Sequence, residues 1–391
     1  MARATQEAGG RAQLAESAVR SRSVRRVWAL PGTRLGVVAW PAAPVQRLFW
    51  RWHFWWQAHL LDCLVDAQLR DPNDGAGSGR QATIGWLIRG DRLRNGWRWG
   101  NAYYDDIAWW ALALLRASAA GVVPGLDLRG PVSLLAGRID QAWSDEAGGG
   151  IPWRRGDVFR NTPANGPAAI LLARTGNQSR AAATADWIDQ RLRITKSDLI
   201  ADGMLPGGDA GGFTVDETVY TYCQGVVLGA ELELVCSTDR DASRIHRLVA
   251  AVHTELAPGG VLTGHGGGNE GLFTGILARY LAQVATRLPG STEQDRRTRE
   301  TAAQLVAMAA DSAWRHAIVE GGLPIFGPDW SVPAIRPHRG GTGEVRGNAL
   351  VAASREAERD LSVQLSGWML MEAAHLVGDS AAASGLDSAI S

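Results

Sequence analysis

The sequence predicts an all-α fold, an (α/α)6 barrel or helical toroid in which inner and outer helices alternate around one axis. Segments of helical length alternate with loops that contain glycine and proline, and apolar residues in these segments recur three and four positions apart. Almost no segment alternates with the period of two that is typical of strands. Long loops after every second segment favour a ring whose loops build a site at one end.

Ten segments carry the helical pattern. They are residues 43–70, 102–120, 131–145, 165–175, 179–193, 216–236, 240–256, 270–287, 294–317 and 356–377. The segment 216–236 shows the pattern most clearly, because apolar residues line it over about six turns, as a helix packed on two sides requires. The connections 148–152 and 257–271 are too rich in glycine for helix interiors.

Three parts follow from this organisation. Residues 1–40 begin polar and pass through PGTRLGVVAWPAAP, which predicts an N-terminal tail and an extended arm. No linker interrupts residues 41–380, so we expect a single (α/α)6 domain there. Residues 381–391 are expected to form a flexible C-terminal tail.

The charge balance limits the partners. Forty basic and forty acidic residues give zero formal net charge, which removes the electrostatic footprint of nucleic-acid binding or of adhesion to an anionic membrane. No apolar stretch has the length of a membrane span or the pattern of a signal-peptide core. We therefore expect a cytoplasmic protein with a neutral ligand, no nucleic acid and no membrane insertion. The oligomeric state stays open.

Cysteine and histidine indicate neither a disulfide framework nor a metal site. The three cysteines, Cys63, Cys223 and Cys236, are far apart in sequence. None of the eight histidines has the spacing of metal ligands joined to cysteine or carboxylate partners. The expected cofactor is none.

Tryptophan is unusually frequent, with 17 residues against 5 tyrosines and 6 phenylalanines. The clusters are Trp50, Trp52, Trp55 and Trp56, then Trp97 and Trp99, then Trp109 and Trp110. Indole is a rigid apolar plate with one polar edge. It suits core packing, and it also suits the wall of a groove where it stacks on sugar rings. The sequence leaves both interpretations open.

The string NAYYDDIAWWALALL, residues 101–115, places Asp105 and Asp106 where a loop enters an apolar helix. One aspartate suffices as a cap, and a second beside aromatic rings has a raised pKa and is costly without a purpose. Retaining glycoside hydrolysis needs two carboxyl groups roughly 5 to 5.5 Å apart. Neighbouring aspartates in a helix or turn can reach that separation while they face one groove.

This string resembles the signature of glycoside hydrolase family 76, the endo-α-1,6-mannanases. Four further segments resemble that family in its order: GGGIPWRRG (148–156), RNTPANGPAAILLAR (160–174), YTYCQGVVLGAELEL (220–234) and NEGLFTGILARYL (269–281). The resemblance implies a catalytic (α/α)6 barrel that cleaves α-1,6-mannosidic linkages in a mannan-type polysaccharide with retention and without metal. It also implies that Asp105 is the nucleophile and Asp106 the acid/base.

Seven further residues are predicted to contact the sugar. They are Tyr104, Trp110, Trp153, Asn161, Asn165, Tyr222 and Gln224. Asn161 and Asn165 project one helical turn apart and can bind hydroxyl groups, although Asn165 equally suits a cap or turn. The chain departs from the family at three positions: Cys223 replaces Asn, Thr274 replaces Lys, and Arg160 replaces Lys. These departures bear on the substrate more than on the chemistry.

Two alternatives stay open from the sequence alone. A transglycosylase or a hydrolase of another α-mannoside would share this core. A carbohydrate-binding toroid without catalysis would share the fold, although pure binding has no use for two adjacent carboxyl groups. Chain-length preference and the physiological glycan are not specified by these residues.

Overall fold

The computed structural model describes residues 2–42, 52–72, 79–207, 212–338, 344–345, 352–354 and 356–390. The first nine residues of the predicted helix 43–70, Trp50 among them, lie outside the described residues. The described residues form twelve α-helices, in agreement with the predicted all-α class. No helix in these ranges is long and apolar enough to cross a membrane.

Six helices form the inner ring. They are α2 (Phe54–Arg70), α4 (Tyr104–Ala119), α6 (Thr162–Arg174), α8 (Thr221–Ser237), α10 (Phe273–Arg287) and α12 (Leu361–Ile390). Each packs on the next, and α12 packs back on α2, which closes the ring.

Six helices form the outer ring. They are α1 (Ala2–Ser23), α3 (Gly79–Arg94), α5 (Arg129–Gln141), α7 (Gln178–Leu192), α9 (Ser243–Glu255) and α11 (Glu293–His316). Each of them packs against the inner ring, so the (α/α)6 prediction is confirmed.

Burial separates the two rings. Almost every residue of α8 from Thr221 to Leu234 is buried, because this inner helix has protein on all sides. In the outer helix α9, burial is limited to Ile245, Leu248, Val249, Ala251 and Val252. Their spacing of three and four marks one apolar stripe, and the opposite face meets solvent.

Helix α1 corrects the predicted N-terminal tail, which is wrong for Ala2–Ser23. This helix packs between α12 and α2 and completes the outer ring. Its buried face is built of Ala12, Ala15, Ala18 and Val19. Small alanines give a weak hydrophobic signal although they are good helix formers, so the composition resembled a polar tail.

The C-terminal prediction also changes. Helix α12 continues through Ile390, so the tail predicted for residues 381–391 is helical there.

The strands in the described residues lie in the loops that lead from an outer to an inner helix. They are β1 (Val24–Arg25), β2 (Leu35–Gly36), β3 (Arg160–Asn161), β4 (Gly203–Pro206), β5 (Phe213–Asp216), β6 (Ile318–Glu320), β7 (Leu323–Ile325), β8 (Glu344–Val345) and β9 (Ala352–Ala353). The longest sheet has the antiparallel order β3-β4-β5, and the other strands form two-stranded pairs. The loops at this end of the ring are therefore held together by short antiparallel strands.

Four inner helices hold these loops with the same device, which we call the amide clamp. The fourth residue of the helix is Asn or Gln, and its amide group bonds both the N–H and the C=O of one loop residue. The pairs are Gln57 with Gly36, Asn165 with Ile151, Gln224 with Ile200, and Gln364 with Phe326, at 2.7 to 3.1 Å. A buried amide that is fully hydrogen-bonded fixes its neighbours rigidly, so the clamps dock the loops onto the ring.

Candidate active site

The amino-terminal ends of the inner helices meet at the end of the ring that carries the clamped loops. Asp105 and Asp106 lie in the first turn of α4. The N-cap of this helix is Tyr103, whose side chain makes no cap hydrogen bond. Two carboxylates in the first turn are favoured by the helix dipole, and neither aspartate is the N-cap itself.

Asp105 is partly buried and is held through both oxygens. The indole N–H of Trp153 donates to its Oδ2 at 2.9 Å, and the backbone N–H of Asp106 donates to its Oδ1 at 2.9 Å. Burial raises the pKa of Asp105 to about 6, and the Trp153 hydrogen bond offsets part of this rise. Both hydrogen bonds favour the ionised form.

Asp106 has a different environment. Burial and the neighbouring charge of Asp105 raise its pKa well above the ordinary value. One of its oxygens accepts a hydrogen bond from Nδ2 of Asn101, whose own Oδ1 accepts from the backbone N–H of Tyr103 at 2.9 Å. The other oxygen is left to carry a proton. Of the two carboxyl groups, Asp106 therefore holds its proton to higher pH.

Within the described ranges, neither Asp105 nor Asp106 forms an ion pair with an arginine, lysine or histidine. The negative charge of the pair is stabilised by three N–H donors and by no cation. A pair of carboxyl groups whose surroundings push their pKa values apart is the arrangement that acid and nucleophile require.

Trp153 is placed by the loop between α5 and α6. Its backbone C=O accepts from the N–H of Tyr104 at 2.8 Å, and its N–H donates to the C=O of Phe159 at 2.8 Å. Two residues earlier, the loop is fixed by the Asn165 clamp on Ile151. The indole predicted to support a sugar is thus a rigid donor to Asp105, and it remains partly exposed.

The glycine run before Trp153 has a steric reason. Gly150 adopts φ +82°, and a Cβ there would lie 2.9 Å from the Trp187 ring. Only glycine fits this position, which passes close under the indole of an outer helix.

Asp202 is a site residue that the sequence analysis missed. It lies on the loop before β4, where burial and the charges of Asp216 and Asp105 raise its pKa to about 7. The thiol of Cys223 is a weak donor to its Oδ1 at 3.8 Å. The signal was a single acid in the apolar run LIADGM, where a surface loop would carry more polar residues.

An aromatic wall faces the acids. Tyr222 stacks on Phe273 with ring centroids 3.8 Å apart and an interplanar angle of 6°. Tyr220 meets Phe273 edge-on at 5.1 Å, and Trp55 lies 6.5 Å from it. Tyr222 is nearly buried, and the charges of Asp202 and Asp105 contribute to the rise in its pKa, which burial dominates. That Tyr222 contacts the sugar stays a prediction.

Four of the predicted sugar-binding residues need correction, because they are buried in the protein. Trp110 has no exposed surface and packs on Phe54 in the core. Asn161 is the N-cap of α6 and accepts from the N–H of Ala164 at 3.2 Å. Asn165 and Gln224 have no exposed surface and act as amide clamps. Tyr104, the first residue of α4, stays partly exposed next to Asp105.

No group of three or more His, Cys, Asp or Glu in the described part of the chain is arranged to hold a metal ion. A cavity of about 590 Å³ lies at the opposite end of the ring. Its walls include Asp66, Arg116, Arg174, Glu233, Arg279 and Glu372, one from each inner helix. Asp66 is paired with Arg116 and Arg279, and Glu233 with Arg174, whereas burial raises the pKa of Glu372 to about 7 despite its ion pair with Arg70.

The charge pairing at that end is dense. Arg116 and Arg279 each bind both Asp62 and Asp66, with the Arg279 contacts at 2.5 and 2.6 Å. Burial opposes ionisation of Asp62, but the charges of Arg116 and Arg279 outweigh it and lower its pKa.

Comparison with known proteins identifies a family of glycoside hydrolases. A family model described as "Glycosyl hydrolase family 76" matches residues 30–321. None of the curated proteins compared with the sequence matches it.

Solved structures resemble the whole chain. The GH76A α-1,6-mannanase from Salegentibacter sp. HEL1_6 has a TM-score of 0.76 and 25% identity, over 95% of this chain and 99% of that one. An inactive variant of that mannanase, with two consecutive aspartates changed to asparagine, was solved with α-1,6-mannotriose and has a TM-score of 0.75, 24% identity and the same coverage. The Lin0763 protein from Listeria innocua has a TM-score of 0.74 and 24% identity, over 94% of this chain and 96% of that one.

Proposed function

The chain belongs to glycosyl hydrolase family 76, and from this premise we propose that it is a retaining hydrolase of α-1,6-mannosidic linkages in a mannan-type polysaccharide. The observation that carries the proposal is the pair Asp105 and Asp106 at the mouth of the ring, partly exposed and without a counter-ion among the described residues. The similarity to an α-1,6-mannanase over nearly the full length supports the linkage.

The hydrogen bonds of the two acids and the directions of their pKa shifts support a distinct role for each. Asp105, with its pKa raised to about 6, is the easier to ionise and serves as nucleophile. Asp106, whose pKa is raised further by the charge of Asp105, keeps its proton and serves as acid. The Trp153 indole donates to one oxygen of Asp105 and the Asp106 N–H to the other, so the nucleophilic carboxylate is held in one orientation.

The first step forms a bond between a carboxylate oxygen of Asp105 and the anomeric carbon. The bond to the glycosidic oxygen breaks, and Asp106 delivers its proton to that oxygen, which leaves as a hydroxyl group. Once Asp105 is esterified, its negative charge is gone. The pKa of Asp106 then falls, because one cause of its rise has been removed.

The second step uses that change. Asp106, now ionised, takes a proton from a water molecule, whose oxygen attacks the anomeric carbon and releases Asp105. Two inversions restore the original α configuration. Asp202 is partly exposed, so its carboxyl group can bind hydroxyls, and the partly exposed rings of Tyr220 and Trp55 beside Phe273 can pack on the sugar.

The test is turnover of linear α-1,6-mannan with the anomeric configuration of the first product followed by NMR. We expect α-configured reducing ends before mutarotation. A β-configured initial product would contradict retention, and intact α-1,6-mannan would contradict the linkage.

A matched control separates catalysis from general effects of removing an acid. Asp140 lies on the outer helix α5 with 42% of its side chain exposed. Asp140→Asn should leave the rate and the product configuration unchanged, whereas Asp106→Asn should slow turnover of mannan by about 10² to 10⁴-fold. Equal effects of the two substitutions would contradict the proposed site.

A further inference from the structure

Two exposed tryptophans lie outside the candidate active site. Trp28 is 60% exposed and Trp86 is 37% exposed. Indole is rarely left in water on a soluble protein, and an exposed aromatic group therefore marks a candidate binding surface.

The backbone at Trp28 is built to display its ring. Trp28 and the next residue, Ala29, adopt φ +46° and +61°, in the left-handed region that disfavours residues with a Cβ. The turn is locked from both sides: Leu30 donates to the C=O of Val27 at 2.8 Å, and the N–H of Val27 donates to Thr33 Oγ1 at 3.2 Å. These hydrogen bonds hold the turn, and with it the Trp28 ring, at the surface.

The segment that carries Trp28 runs along the outer helix α3. The N–H of Arg34 donates to the C=O of Trp86 at 2.8 Å, and its guanidinium lies 4.9 Å from the Trp86 ring. The guanidinium of Arg94 lies 5.5 Å from the Trp28 ring. Trp86 and Arg94 are two helical repeats apart on one face, roughly 12 Å along the axis. Each indole is thus backed by an arginine, and the two are spaced along one face.

Trp28 lies at the same end of the ring as the two acids, because it is in the loop from α1 to the inner helix α2, and Arg94 is the last residue of α3, which leads to α4. Arg94 also lies 5.6 Å from the Trp52 ring, which is 6.3 Å from Phe54. Phe54 is 5.7 Å from Trp110, which follows Asp106 by one helical turn on α4. Phe54 and Trp110 are buried, so these contacts anchor Arg94 and the Trp28 turn to the core.

We propose that Trp28 and Trp86 form a second glycan-binding surface that holds a distal part of the polysaccharide while another part occupies the active site. The inference rests on the proposed function, because it takes the same glycan as its ligand. Flat indoles stack on the apolar faces of sugar rings, and a second contact raises the effective concentration of a polymer at the site without changing the chemistry. Two spaced plates with charged neighbours lack the contiguous apolar core of a protein interface.

Trp97, three residues after the end of α3, provides a matched control. It is 53% exposed, also adopts a positive φ of +61°, and lies 5.5 Å from the guanidinium of Arg92. Arg92 and Arg94 are two positions apart, about 200° around the helix, so Trp97 is backed from nearly the opposite side. Trp97→Ala removes an equally exposed indole from a different face.

The first readout is binding and needs no turnover. In native gels that contain linear α-1,6-mannan, the Asp105→Asn variant should be retarded. Adding Trp28→Ala and Trp86→Ala should raise the apparent dissociation constant at least fivefold, and adding Trp97→Ala should leave it unchanged. Equal retardation with and without Trp28 and Trp86 would overturn the proposed surface. So would no retardation of the Asp105→Asn protein, or an equal loss of binding with Trp97→Ala.

The second readout is kinetic and uses the active enzyme. The ratio of kcat/KM on mannan to kcat/KM on α-1,6-mannotriose should fall at least fivefold in the double tryptophan variant, and an unchanged ratio would count against the surface. A parent that cleaves neither glycan contradicts the proposed function, while the gel assay still decides whether the surface binds mannan. The thermal unfolding midpoint of each variant verifies that it is folded.

Discussion

The two ends of helix α4 differ in whether their charged side chains have ion-pair partners. Asp105 and Asp106 in its first turn have no cationic partner in the described ranges, whereas Arg116 in its last turn is bound by both Asp62 and Asp66. The pKa of Asp105 is raised and that of Asp62 is lowered. Both ends are crowded and poorly hydrated, so burial alone does not set the difference. The presence of a counter-ion separates an acid that is available for chemistry from one that stabilises the fold.

The parallel inner ring extends this contrast to the whole barrel. Four inner helices carry an arginine in the last turn: Arg70, Arg116, Arg174 and Arg287. Cations at helix carboxyl ends and anions at amino ends both complement the helix dipoles. Because the inner helices point the same way, their amino ends gather at the site and their carboxyl ends at the cavity. The ring itself therefore favours acids at one mouth and arginines at the other.

The largest expected effect comes from neutralising the nucleophile. Asp105→Asn should lower kcat on α-1,6-mannan by about 10³-fold or more, because the amide cannot form the glycosyl ester. Single-turnover kinetics with labelled mannotetraose measure this loss. A variant that keeps a tenth of the parent rate would remove Asp105 from the mechanism and end the contrast between the two ends.

Breaking the paired end should affect stability and leave the chemistry intact. Arg279→Met leaves Asp62 and Asp66 with half their counter-charge, and we expect a loss of about 3 kcal/mol in the free energy of unfolding. Urea denaturation measures it, with kcat of the folded enzyme unchanged. The control is Arg297→Met, whose partner Glu293 is on the surface, and it should leave the free energy of unfolding nearly unchanged. Similar losses in both variants would show that burial of the pair is unimportant.

At the amino-terminal end of α4, where the acids have no ion-pair partner among the described residues, removing a charge should stabilise the fold. The folded-state pKa of Asp105 is raised to about 6, so its contribution to stability is favourable below the unfolded pKa and is lost as the pH rises through 6. Asp105→Asn should therefore stabilise the protein at pH 8 by about 1 to 3 kcal/mol and have little effect near pH 4. Denaturation at the two pH values tests this. Destabilisation at pH 8 would indicate that the ionised acid is compensated after all.

The smallest effect is the acid limb of the pH profile. Since Asp105 must be ionised to attack, kcat/KM on α-1,6-mannotriose should fall about tenfold per pH unit below pH 6. The midpoint should move to higher pH in Trp153→Phe, because that variant loses the hydrogen bond that favours the carboxylate. An unmoved midpoint would mean that Trp153 does not tune this acid.

Sequence patterns predicted the fold, which is confirmed, and singled out the acid pair, because both patterns involve residues close together in the sequence. The spacing of apolar residues predicts helices, and two consecutive acids at the start of an apolar helix stand out whatever surrounds them. The first helix was missed because its buried face consists largely of alanine. The polar residues Asn165 and Gln224 resembled ligands for sugar hydroxyls, but their partners are the backbones of Ile151 and Ile200 in preceding loops. A hydrogen-bond partner in another segment leaves no local pattern to read.

The packing of α1 between α12 and α2 has a consequence for how the barrel assembles. Elsewhere the inner ring joins helices that are close in sequence, but at this seam Thr5 Oγ1 donates to the C=O of Gly378, 373 positions away. Loop-closure entropy makes such remote contacts slow to form, so the seam is expected to be the last joint to close during folding and the first to open under stress. Among the helices, amide hydrogen exchange should accordingly be fastest where α1 contacts α12 and α2. Proteases should cleave the folded barrel first at this contact.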